Sequence, residues 1–134
     1  MIPERISPDR FAAALAERLD RVVPKGLSVR AHGSAVSLYD PSYWGDSGIA
    51  DIVAEDDGRS IIERVEAAAW AIMNATQDVA MESTKEQWPI GPAGAAEPKA
   101  RVVGDHLQMW FGEEAEPAVR LQPLDLRDLA FGAA

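Results

Sequence analysis

Two stretches of the chain, "LSVRAHGSAVSLYD" and "KARVVGDHLQMWFG", alternate apolar and polar residues around a glycine-led pair. This pattern allows few folds. A glycine supplies the positive φ that a type II′ turn needs, so Gly33-Ser34 and Gly104-Asp105 each close a two-residue hairpin. In the first hairpin Ala31 then faces Val36 and Val29 faces Leu38. In the second, Val102 faces Leu107 and Ala100 faces Met109. Both registers gather the apolar side chains on one face, and a slip of one residue would turn them outward. The other face of the second hairpin carries Arg101, Val103, His106, Gln108 and Trp110.

Helices frame these hairpins. Ser7-Pro8-Asp9 combines a serine cap, a proline in the first turn and an acidic residue near the helix N-terminus. Phe11, Leu15, Leu19 and Val22 follow on one face, and Pro24 and Gly26 end the pattern. Ser60 and Glu63 have the spacing of a capping box at the head of "SIIERVEAAAWAIMNAT". Ile61, Ile62, Val65, Ala69, Ile72 and Met73 form its buried stripe. After Thr76 the period changes to two, with Val79, Met81 and Ser83 alternating against Ala80, Glu82 and Thr84, which predicts a strand. "EQWPIGPAGAAEP" has no period and reads as a long loop, functional or mobile. "PAVRLQPL" reads as a further strand and "DLRDLAF" as a terminal helical turn capped by Asp125.

The order is α-β-β-α-β-β-β-β with a short C-terminal helix, in one α+β domain over residues 1–134. The expected architecture is a mainly antiparallel twisted sheet of about five to six strands in hairpins, with two main helices packed on one face. At 134 residues and 47% hydrophobic content the chain is a folded globular one. It has no cysteine, which removes disulfides and thiolate chemistry. No apolar run reaches the roughly 20 residues of a membrane span, and the N-terminus lacks the pattern of a secretory signal. A cytoplasmic protein is expected, and its alanine and arginine usage suits a high-GC bacterial genome.

Charge narrows the partners. Thirteen basic and 22 acidic groups give a net charge of −9. Residues 31–60 alone carry one basic and six acidic groups. Such a chain repels phosphate backbones and anionic membrane, so neither nucleic acid nor membrane is expected as a partner. A basic protein surface is the compatible charged partner.

The stretch "YDPSYWGDSGIAD" from Tyr39 to Asp51 invites comparison with a calcium loop. Asp40, Ser42, Gly45, Asp46 and Asp51 fall near the right positions, but Trp44 stands where an oxygen ligand is needed and the flanks are wrong. A turn that packs Tyr43 or Trp44 back onto the domain or a subunit partner is the expectation. His32 and His106 are isolated beside hairpin turns, and no paired metal-ligand spacing exists. No cofactor, metal or catalytic residue is assigned. Ser34 beside His32 lacks a nucleophile signature, and "EDDG" at Glu55 to Gly58 serves most simply as negative charge ahead of a helix. What remains is aromatic: Tyr39, Tyr43, Trp44, Trp88 and Trp110 fall on loops or outward strand positions. Either they anchor an interface, or the chain itself covers them.

The openings "SPDRFAAALAERL" and "SIIERVEAAAWAIM", in this element order and with this acidity, resemble the type III secretion chaperone-like fold. That resemblance implies a homodimer that holds extended segments of a partner protein; the long "WPIGPAGAAEP" loop departs from it. Three functions stay open: a non-enzymatic protein-binding module using the five aromatics, chaperone- or adaptor-like; a small-molecule-binding or hydrolytic enzyme with a pocket near the 39–51 and 86–98 loops; and an acidic inhibitor or immunity protein for a basic partner.

Overall fold

The computed structural model describes residues 2–41 and 43–130, with backbone alone at positions 43, 44, 46 and 47. The chain runs as helix α1 (Pro8–Asp20), strands β1 (Ser28–His32), β2 (Ala35–Asp40) and β3 (Tyr43–Ile49), and a 3-10 turn at Ala50–Ala54. Helix α2 (Ile61–Thr84) follows, then the short ribbon β4 (Ile90–Gly91) and β5 (Gly94–Ala95). Strands β6 (Pro98–Val103), β7 (His106–Gly112), β8 (Pro117–Arg120) and β9 (Leu124–Asp125) complete it, with a 3-10 turn at Leu126–Leu129. The class is α+β with antiparallel pairing throughout the described strands. The single sheet expected from the sequence is divided among three: β1-β2-β3, β4-β5, and β6-β7 extended by β8 and β9.

Both hairpin registers are as the alternation requires. Ala31 pairs with Val36 and Val29 with Leu38, while Val102 pairs with Leu107 and Ala100 with Met109. Gly33 and Gly104 sit at φ +60° and +63°, and the residue after each keeps a negative φ, as a type II′ turn demands. The helix caps also form. Ser7 Oγ accepts from Arg10 N at 3.2 Å, and Ser60 and Glu63 exchange both bonds of the capping box.

Three expectations are corrected. The stretch after Thr76 is helix, not strand, and α2 continues for 24 residues until Lys85 enters the left-handed region at φ +61°. Its buried positions Val65, Ala68, Ala69, Ile72, Met73, Thr76, Gln77 and Ala80 keep helical spacing to the end. The stripe is hard to see in sequence because polar Thr76 and Gln77 fill its last turns. Second, "YDPSYWGDSGIAD" is for the most part the third strand of the first sheet. Tyr43 pairs with Asp40 and Trp44 with Tyr39, and the register shifts between Val36 and Ser37, a bulge that carries the strand past Ser47. The expected packing of the Tyr43 or Trp44 ring lies outside the described residues. Third, the loop before Pro98 is partly ordered by the β4-β5 ribbon.

Gly48 explains why β3 can lie so close to α2. Its φ is +120°, and a Cβ there would meet Ile72 Cγ1 at 3.3 Å and Ile72 Cα at 3.4 Å. Against β1 and β2 of the first sheet, α1 contributes Phe11, Leu15 and Leu19, all fully buried. The second sheet contributes Leu107, Met109 and Phe111 to the same core. Burial of each such side chain stabilises the fold by roughly 1.5–3 kcal/mol. Arg18 ties α1 to the C-terminal segment, donating to Gln122 O at 3.0 Å and Pro123 O at 3.1 Å. Helix α2 therefore has β3 along one flank and β6 along the other. Among the described residues no helix is long and apolar enough to cross a membrane.

Candidate functional site

A stripe on α2 faces the second sheet: Glu66, Trp70, Asn74 and Gln77, spaced so that they stack along one side of the helix. Its two ends reach β6 or the residues just before it. The Glu66 carboxylate accepts from Val102 N at 2.8 Å, and Gln77 Nε2 donates to Ala96 O at 2.5 Å. Between these clamps the helix and the strand stand apart. A cleft of about 490 Å³ opens there, floored by Ala95 to Ala100 and walled by Trp70, Asn74 and Gln77. Trp70 is 48% exposed, while Gln77 below it is buried.

The strand beside this cleft is an edge. Among the described residues, β6 in the second sheet pairs only with β7. Met109 O accepts from Leu121 N at 3.0 Å on the far side of β7, so Met109 and Leu107 direct their backbone groups away from β6. Their partners Ala100 and Val102 accordingly direct theirs to the open edge. Val102 N donating to Glu66 is the direct sign of this orientation.

Of the five aromatics expected at an interface, the side chains of Tyr39 on β2, Trp88 after α2 and Trp110 on β7 are described. Tyr39 is half-buried, with its Oη 2.7 Å from His32 Nε2. Tyr43 and Trp44 lie on β3, their side chains outside the described residues. Trp88 is half-buried and tilted against Phe111, ring centroids 5.3 Å apart. Trp110 does point away from the core, yet it is only 5% exposed. Arg101 and Arg120 each lie 5.7 Å from its ring centre, and its Nε1 donates to Gly112 O at 3.1 Å. Glu114 locks this arrangement, pairing with the Arg101 guanidinium while its backbone oxygen accepts from Arg120 Nη2. So the chain covers Trp110 with two arginine side chains.

Trp70 escaped the sequence reading although a signal existed. It lies off the apolar stripe of α2, and a tryptophan off the buried face of an otherwise regular amphipathic helix has no core to fill.

The histidines stand on different sheets, each with its own neighbour. His106 Nε2 is 3.9 Å from Asp125 Oδ2. Asp125 caps the last 3-10 turn, and hydrogen bonds from the Arg127 side chain and backbone hold its carboxyl well below the usual carboxylate range. Among the described residues no group of three or more potential ligands gathers to hold a metal ion. A second cleft, about 320 Å³, is lined by Trp88, Pro89, Ile90 and Val119. Among the described residues, neither of these two clefts is lined by a residue from 39–51.

Scanned against protein-family models, curated proteins and solved structures, the chain has no match.

Proposed function

We propose that this protein is a non-enzymatic binding module for another protein, adaptor- or chaperone-like, and that it receives its partner in the cleft between α2 and β6. The observation that carries the reading is Trp70, half-exposed over an open cleft whose opposite wall is an edge strand with no further strand beside it among the described residues. A single exposed aromatic is ordinary on any surface. Here the ring stands next to a concavity and to backbone groups directed outward, and tryptophan is the residue type most enriched among interface anchors. The reading moves the aromatic contact from the residues named by the sequence to one they did not include.

The clamps support the same view. Glu66 and Gln77 hold α2 to the second sheet at both ends, so the walls of the cleft are fixed before anything binds. Preorganised walls reduce the ordering cost of association.

A photoreactive benzoylphenylalanine in place of Asn74, introduced in the native cell, tests this directly. The expected result is a protein adduct that disappears when Trp70→Ser is combined with the probe. Absence of any adduct, or an adduct indifferent to Trp70→Ser, would contradict the reading.

A further inference from the structure

We infer that the cleft between α2 and β6 binds a small neutral molecule, a planar nitrogen heterocycle with an amino group beside a ring nitrogen, as in adenine and its nucleoside. This goes beyond the docking of a protein and does not depend on it. The observation behind it is Gln77. Its side chain is only 5% exposed, and its Nε2 donates to Ala96 O at 2.5 Å. Among the described residues no donor reaches its Oε1, and that oxygen is not sealed in the core but opens onto the cleft that Gln77 lines. A nearly buried acceptor left open at the end of a cavity is a place for a ligand's donor.

One turn back along α2, Asn74 lines the same cleft, partly buried, and its carboxamide makes no hydrogen bond among the described residues. A free carboxamide holds a donor and an acceptor side by side, the pair that matches the amino group and ring nitrogen of adenine. Trp70 stands one turn further back, half-exposed, with an indole face on which a base can stack. Helix and strand run in opposite senses, with Glu66 at Val102 and Gln77 at Ala96. Indole, carboxamide and buried acceptor therefore follow one another toward the Ala96 end, at spacings of four and three residues on one side of the helix. A heterocycle stacked on Trp70 with its amino edge at Asn74 sends a substituent such as ribose toward Gln77 Oε1, which accepts from a hydroxyl. The cleft volume of about 490 Å³ lies in the range of small-molecule pockets.

Charge limits the ligand. Of the residues lining the cleft, Glu97 and Lys99 are charged, and they pair with each other at 3.5 Å. No lining cation is left over for a phosphate, and the net charge of −9 repels one. The neutral nucleoside is therefore favoured over its nucleotides.

The test titrates adenosine, purine riboside (the same nucleoside without the amino group) and AMP into the isotope-labelled full chain by NMR. Adenosine should shift the Trp70 indole and the Asn74 and Gln77 side-chain amide signals together, with low-millimolar or tighter affinity. Purine riboside should bind roughly fivefold or more weakly, and Asn74→Leu should erase that difference. Trp70→Ala should weaken adenosine on the order of fivefold or more. AMP should bind no tighter than adenosine. Signals at Trp70, Asn74 and Gln77 that stay still with adenosine would overturn the inference, as would adenosine binding indifferent to Trp70→Ala. Equal binding of purine riboside would overturn recognition of the amino edge, and tighter binding of AMP would overturn the selection of a neutral ligand. All of these are read on the purified chain without a partner, so the Asn74 cross-link decides the docking site separately.

Discussion

Thr76 is fully buried in α2, and its Oγ1 has no hydrogen-bond partner among the described residues. An unpaired buried hydroxyl costs about 1–3 kcal/mol of desolvation. Valine has the same shape without the hydroxyl. Thr76→Val is therefore expected to raise stability by about 1 kcal/mol, measured as a higher urea midpoint with unchanged slope; a lower midpoint would mean that the hydroxyl has a partner in the folded protein. At the same scale, Trp110 marks how far residue types can be read. Strand alternation correctly puts it off the core face. What covers it depends on Arg101, Arg120 and Glu114 meeting through the turn between β7 and β8, which no local pattern encodes. Ser7, Ser60 and Asp125 were legible because each acts on backbone within three residues of itself.

Elements became legible where local chemistry and burial agreed, as in the two hairpins and the first turns of both helices. They were lost where one overrode the other. Thr76 and Gln77 hid the end of α2 because burial there accepts polar side chains. β3 was hidden by Asp46, Ser47 and its two glycines, residues that ordinarily mark turns. Gly48 is present for a tertiary reason, the closeness of Ile72, which sequence spacing does not reveal. Gly48→Ala should cost about 2 kcal/mol or more, since it combines a positive φ with the steric demand of a Cβ against α2. Thermal unfolding of that variant measures it, and an unchanged midpoint would show that β3 can move off the helix freely.

At the scale of the whole molecule, α2 joins two separate antiparallel sheets, with β3 along one flank and β6 along the other. The α+β class followed from the hairpins, but the division into sheets did not, because it depends on which edges a helix occupies rather than on any strand's own sequence. That division leaves β6 as an edge with a cleft beside it, and on it rests the central claim that Trp70 anchors a partner. The most direct measurement is the affinity of the protein captured through Asn74 for purified Trp70→Ala, with Ile90→Ser at the second cleft as the control. Both side chains are exposed, so both variants should fold. An anchor tryptophan at the centre of an interface typically costs about 2 kcal/mol or more on truncation, roughly a 30-fold loss. The account predicts that loss for Trp70→Ala and unchanged binding for Ile90→Ser; full affinity in Trp70→Ala, or a loss confined to Ile90→Ser, would contradict it.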